Sequence, residues 1–215
     1  MTDPVVIAAI GVVGTIVGAL FGAWDKVFKA KKASAESPTE HEILHVTFQQ
    51  VQDLEKEIRH IFDRTTADRF LLLIAKSNGK VYDKVSVLYE QHATDKNSDI
   101  LMLSTGAVTK YVNLDLDDDY RSMLASIRQQ FPVHIRVNKM AHGMLRDLYL
   151  YEKVTASNIY FLYDLVSRSG TTITLFCSVA KHGAEEFKAS EETYMKVAVT
   201  RIKNHIIPKQ EIKEK

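Results

Sequence analysis

Asn158-Ile-Tyr-Phe-Leu-Tyr-Asp-Leu-Val166 and Thr171-Thr-Ile-Thr-Leu-Phe-Cys-Ser-Val-Ala180 are two apolar, β-branched and aromatic runs separated by Arg168-Ser-Gly170. Short runs of this composition on either side of a Ser-Gly turn signal predict a β-hairpin. Downstream, Ser190 to Ile207 has helical spacing. Ser190 is the expected cap, Glu191 and Glu192 fall in the first turn where the helix dipole favours acids, and Pro208 ends the run.

Upstream, the pattern is mirrored. Arg69-Phe-Leu-Leu-Leu-Ile-Ala75 is a second short apolar run, ending in the turn residues Ser77-Asn-Gly-Lys80, and Val81 to Tyr89 alternates as its partner. Ahead of it, Ser37-Pro38-Thr39-Glu40 reads as a capping box with proline at the first helical position. Leu44, Thr47, Val51, Leu54, Ile58 and Ile61 then recur in steps of three and four. That spacing fits a heptad seam between two chains, with Thr47 as its one polar member. It equally fits one amphipathic helix packed on its own domain.

The middle of the chain is less regular. Gln91 to Ser98 reads as a loop, and Ile100–Leu103 and Lys110–Leu114 as short strands. Asp117–Gln130 reads as a helix, Pro132–Val137 as a strand, and Met140–Leu148 as a short helix. The order helix, two strands, variable middle, two strands, helix predicts an α+β domain. Its expected form is one antiparallel sheet carrying N- and C-terminal helices on one face.

This layout resembles the GAF and PAS sensor domains over Glu40 to Ile207. The closest local likeness is the final hairpin with Ser169-Gly170, followed by Phe187-Lys-Ala-Ser-Glu-Glu192 leading into the last helix. The resemblance implies a sensory fold whose first and last helices pair. The cyclic-nucleotide signature of some GAF domains is not evident, nor is a chromophore cysteine, so no cofactor is expected.

Val5 to Trp24 carries no formal charge. Such a helix would be about 30 Å long, the thickness of a bilayer's hydrocarbon core. Met1-Thr2-Asp3-Pro4 lacks the basic start of a signal peptide, and Phe21 stands two positions before Ala23, a poor cleavage context. A single transmembrane helix is therefore expected. Lys26, Lys29, Lys31 and Lys32 follow it against Asp25 alone, which predicts a cytoplasmic soluble domain with the lysines near anionic lipid. Gly11, Gly14, Gly18 and Gly22 share one helix face and permit close packing of two such helices, so a homodimer is expected. The implied organisation is 1–32 transmembrane helix and basic flank, 33–39 linker, 40–208 GAF-like domain and 209–215 charged tail.

Chemistry-bearing motifs are few. His41-Glu42-Ile43-Leu44-His45 matches the H-E-x-x-H zinc pattern, but Phe48 and Val51 stand where its extended form needs glycine and histidine. A solvated helix start is the plainer reading, and a zinc metalloprotease the remote one. In Asp115-Leu-Asp-Asp-Asp119, Tyr120 and Ser126 occupy the glycine and glutamate positions of a calcium loop, so a helix cap is expected instead. Cys177, the only cysteine, lies in an apolar strand and reads as structural. The histidines His60, His92, His134, His142, His182 and His205 show no metal spacing.

There is no P-loop, dinucleotide-binding glycine pattern or nucleophile elbow. A net charge of +1 with dispersed basic residues gives no nucleic-acid footprint. The expected function is a non-catalytic, membrane-anchored sensory or protein-interaction module acting on an unidentified protein partner or small ligand. The alternative is a lysis protein resembling T-even phage holins, which also join one membrane helix to a globular domain.

Overall fold

The computed structural model describes residues 48–78, 81–93, 106–166, 171–183 and 186–206. These form a six-stranded antiparallel sheet flanked by helices. In chain order the elements are α1 (Phe48–Arg64), β1 (Arg69–Asn78), β2 (Val81–His92), α2 (Ala107–Lys110), β3 (Leu114–Asp115) and α3 (Asp118–Ser126). They continue with β4 (Val133–Arg136), a 3-10 turn (Val137–Lys139), α4 (Met144–Tyr151), β5 (Ala156–Val166), β6 (Thr172–Lys181) and α5 (Ala189–Ile206).

The sheet order is β3-β2-β1-β6-β5-β4. The two expected hairpins are the spine of the sheet, joined through β1 and β6 at its centre. The β1/β2 register runs from Arg69↔His92 to Asn78↔Val81, the β1/β6 register from Arg69↔Ala180 to Ser77↔Thr172, and the β5/β6 register from Ala156↔Lys181 to Val166↔Thr172.

Strand β1 is apolar without a break because both its faces are covered. Phe70, Leu72 and Ile74 face one core with α1 and α5, while Leu71, Leu73 and Ala75 face a second core with α2, α3 and α4. Successive side chains of a strand point to opposite sides, so a doubly covered strand loses the polar alternation of a half-exposed one. The expectation of helices on one face is thereby corrected. The terminal helices share one face, and the helices of the middle segment cover the other.

Leu54, Ile58 and Ile61 of α1 are buried against Met195, Ala198, Val199 and Ile202 of α5 and the sheet. The side chains proposed as an interchain seam therefore lie in the domain's own core. Over about three turns a heptad pattern and an ordinary amphipathic helix are nearly in phase, so the spacing could not separate the two. Thr65 closes the helix, its hydroxyl donating to Ile61 O at 2.7 Å and accepting from Ala67 N at 3.2 Å. Leu44 and the Val51 side chain lie outside the described residues, as do the expected strand Ile100–Leu103 and most of the loop around it.

Other boundaries moved. Lys110 ends the short helix α2, and only Leu114 of the expected strand Lys110–Leu114 pairs, opposite Val85, with Asp115 beyond it opposite Lys84. The predicted helix over Asp117–Gln130 stops at Ser126, and the one over Met140–Leu148 is shifted to Met144–Tyr151. At the start of α5, Ser190 lies inside the first turn. Glu191 does the capping work, accepting from Lys188 N at 2.7 Å and from Thr66 N at 2.6 Å, which ties α5 to the end of α1.

Candidate functional site

A cavity of about 50 Å³ lies between the sheet and the helices of the middle segment. Leu73, Val87, Leu145 and Phe176 give it an apolar wall, Arg69 and Glu152 form its charged end, and Tyr111, Tyr149 and Ser178 add hydroxyl-bearing side chains to the lining. A single water needs roughly 10–15 Å³ by this measure, so the space takes several waters or a ligand of a few non-hydrogen atoms.

The polar end is built by three elements. Arg69 opens β1 and is 2% exposed. Its Nε donates to Glu90 Oε1 at 3.0 Å, and its Nη2 lies 2.8 Å from the same oxygen and 3.2 Å from Glu152 Oε2. Glu90, near the end of β2, has partners on both oxygens. Oε1 also meets His92 Nε2 at 3.0 Å, and Oε2 accepts from Ala107 N at 3.0 Å, at the start of α2. Burial alone would raise this carboxyl, but hydrogen bonding from His92 and the charge of Arg69 outweigh it and hold Glu90 below its ordinary value.

Glu152, just after α4, accepts on Oε1 from Lys110 Nζ at 2.9 Å and from the Tyr111 hydroxyl. Burial, followed by the hydrogen bond to Glu152, pushes Tyr111 up. Some desolvation opposes the charge on Lys110, but hydrogen bonds to Tyr111 and Glu152 outweigh it and raise the amine. Two atoms at the cavity's polar end, Arg69 Nη2 and Glu152 Oε2, make no in-line hydrogen bond despite their proximity. Their partners are charged ones, Nη2 lying between Glu90 Oε1 and Glu152 Oε2 in one buried ion-pair group.

A second cluster adjoins the first. Asp68 Oδ1 meets His182 Nδ1 at 2.7 Å, Asp68 Oδ2 accepts from His182 N at 3.1 Å, and the His182 ring stacks on His92 with centroids 6.5 Å apart. No local pattern points to this cluster, because Asp68, Glu90, His92 and His182 meet only through strand register. The available signal was a charged Arg69 opening an otherwise apolar run.

Of the residues singled out in the sequence, His92 and His182 fall in this cluster. Gly11, Gly14, Gly18, Gly22, His41, Glu42 and His45 lie outside the described residues. Asp117 caps α3, as expected for the acidic run, and Asp115 pairs with Lys84. Cys177 is fully buried, which pushes its thiol well up. Among the described residues no group of three or more His, Cys, Asp or Glu could hold a metal ion, and no helix is long and apolar enough to cross a membrane.

No family model matches this chain, and no curated protein matches it. Solved structures do. The GAF domain of a two-component sensor histidine kinase from Bacillus halodurans is 9% identical, with a TM-score of 0.48, covering 73% of this chain and 92% of that one. A GAF domain/HD domain protein from Geobacter sulfurreducens is also 9% identical, with a TM-score of 0.44 over 73% and 91%. An N-acylhomoserine lactone-dependent LuxR-family transcription factor from Burkholderia cenocepacia is 9% identical, with a TM-score of 0.40 over 89% and 93%. At these identities no ligand, activity or residue role transfers to this chain.

Proposed function

We propose that residues 48–206 form a GAF-like sensory module that binds a small molecule in the cavity between the sheet and helices α2 to α4. The observation that carries this reading is a largely apolar cavity under the middle-segment helices, with the buried Arg69–Glu152 ion pair in its lining. Cavities of this composition are the usual form of small-molecule sites. The surrounding polar groups are joined in an ion-pair network that reaches α2, so occupancy has a physical route to the segment above the cavity.

The module acts without catalysis in this reading. It is anchored by Val5–Trp24, with its domain on the cytoplasmic side, and works as a homodimer on a partner protein. The uncharged run and the lysines after it support the anchor. The holin layout and the zinc-protease reading gain no further observation from the described residues.

The test of binding is a fragment screen on the full chain by thermal shift, with Val87→Phe as the variant that fills the cavity. A ligand at a hundred times its Kd raises stability by about 2.7 kcal/mol. Hits for the wild type that vanish in the variant support the reading, and hits of equal strength in both overturn it. The anchor is tested separately by carbonate washing of membranes. Release of the full-length chain would refute it, because a spanning helix resists washes that disrupt charge attraction.

A further inference from the structure

The charged end of the cavity is closed on itself. Arg69 Nη2 lies 2.8 Å from Glu90 Oε1 and 3.2 Å from Glu152 Oε2, and Glu152 Oε1 is held by Lys110 and Tyr111. Arg69 and Lys110 thus stand against Glu90 and Glu152. A charged ligand would find no free countercharge here, and a charge buried without one is strongly disfavoured.

The hydroxyl-bearing side chains of the lining are neutral and largely engaged. Tyr111 donates to Glu152, and Ser178 Oγ meets Ser157 Oγ at 2.7 Å. Burial pushes Tyr149 up, while hydrogen bonding from Ser157 and Ser178 opposes it. Burial, followed by the nearby Tyr149 and Asp117, pushes Tyr120 up as well, so it stays an uncharged phenol. These groups can meet a neutral hydroxyl, but none of them supplies a charge. The rest of the wall is apolar: β1 gives Leu71 and Leu73, β2 gives Val85 and Val87, and α4 gives Leu145 and Leu148. An apolar cavity of about 150 Å³ stays dry and takes benzene or xenon. At about 50 Å³, this one has room for xenon or for about two to four non-hydrogen atoms.

We propose that the cavity takes a very small, uncharged, mainly apolar molecule, recognised by its aliphatic wall rather than by its charged end. The Arg69 group then serves to exclude ions and to hold α2 and α4 over the space. This assignment rests on the sensory reading above and adds the ligand class to it. A ligand of this size binds no tighter than tens of micromolar even at the best efficiency per atom, so the probes are used up to millimolar concentrations.

Probes of matched size test it on the full chain: 1-propanol, acetamide, acetate and propylammonium, with xenon as the wholly apolar one. Labelled Leu and Val methyl groups report by NMR where each probe sits and at what concentration it saturates. The expected result is saturable shifts at Leu73, Val87 and Leu145 with xenon and 1-propanol. Acetate and propylammonium are expected to bind about tenfold or more weakly, a difference set by one unpaired buried charge. Acetamide, with less apolar surface and more polar atoms, is expected to bind more weakly than 1-propanol. Val87→Phe fills the space and should abolish the shifts at Leu73 and Leu145. If that variant does not fold, the wild-type ranking and the position of the shifts decide alone.

Acetate, propylammonium or acetamide binding at these methyls as tightly as 1-propanol overturns the apolar-ligand assignment and leaves the cavity as a binding site. Xenon entering without 1-propanol still supports the assignment. Shifts that persist unchanged in Val87→Phe place the probes outside the cavity and overturn it. No probe entering, xenon included, overturns the sensory reading itself.

Discussion

Arg69 Nη2 stands 3.2 Å from Glu152 Oε2, joining the first residue of β1 to the residue that ends α4, with both side chains nearly out of reach of solvent. A buried arginine between two carboxylates is a poor source of stability in itself, because desolvation offsets most of the attraction. Breaking such a group is costly, since the remaining charges are left unpaired.

Arg69→Met is therefore expected to destabilise the domain by about 3–5 kcal/mol, because Glu90 and Glu152 are left facing each other. Adding Glu90→Gln and Glu152→Gln to that variant removes the stranded charges and is expected to recover much of the loss. Urea titration of the two variants beside the wild type checks this, and a triple variant no better than Arg69→Met alone would show that the arginine acts by packing.

Acid should weaken the domain through Glu90. Its folded carboxyl titrates below the ordinary value of 4.5, so the stabilisation is fully present above that pH in the unfolded reference. It is lost as pH falls through the folded value. Urea midpoints of the wild type should drop below about pH 4.5, and Glu90→Gln should flatten that part of the profile. Glu191 shifts in the same direction, with burial outweighed by the hydrogen bonds from Lys188 N and Thr66 N, so Glu191→Gln should remove a further part.

Both hairpins were legible in the sequence because each strand is an apolar run ended by turn residues, and so were α1 and α5 from spacing and breakers. Helices α3 and α4 were legible too, with shifted bounds, but not that they cover the sheet's second face. Helix α2 was missed, because Ala107–Lys110 has too few residues to show a period. The reading of Lys110–Leu114 as a strand failed for that reason. The cavity's polar end was invisible for a different one. Arg69, Glu90 and Glu152 are brought together by the 69↔92 register and by the position of α4 against the sheet, neither of which a local pattern encodes.

Ile58 and Arg59 are neighbours in α1 with opposite surroundings. Ile58 is fully buried in the core with α5, while the Arg59 side chain is 64% exposed and pairs with Glu55. Ile58→Ala should cost about 2–5 kcal/mol, and Arg59→Ala no more than about 0.5 kcal/mol. Chemical denaturation together with the oligomeric state separates two cases. Loss of dimer from Ile58→Ala without loss of stability would return this side chain to an interchain seam.

Cys177 faces Tyr160 across the β5/β6 pair and is shielded by α5. Its burial raises the thiol and keeps it protonated, and the thiolate is the reactive form. The native domain should resist an aromatic disulfide reagent at pH 8, and labelling should track global unfolding across a urea series. Fast labelling without denaturant would show that α5 opens locally.

Asp117 serves two helices at once, which makes the usual cap replacement fail. Its Oδ1 accepts from Tyr120 N at 2.9 Å to cap α3, and its Oδ2 accepts from Met144 N at 2.6 Å at the start of α4. Asparagine is ordinarily as good an N-cap as aspartate, since a single oxygen suffices. Here an amide can satisfy only one of the two N–H groups and turns its own N–H₂ towards the other. Asp117→Asn should therefore cost about 1–2 kcal/mol, close to the loss from Asp117→Ala, where a normal cap would separate the two variants. Gly143 completes the joint, because a Cβ there would come within 2.7 Å of Asp119 Oδ2 and 3.2 Å of Asp117 Oδ2. Gly143→Ala should accordingly displace the Asp119 side chain and loosen α4, read as faster amide exchange at Met144. Because α4 carries Leu145 into the cavity wall and leads to Glu152, Asp117→Asn should also weaken ligand binding without touching the cavity. Unchanged binding alongside the stability loss would show that α4 keeps its place by packing alone.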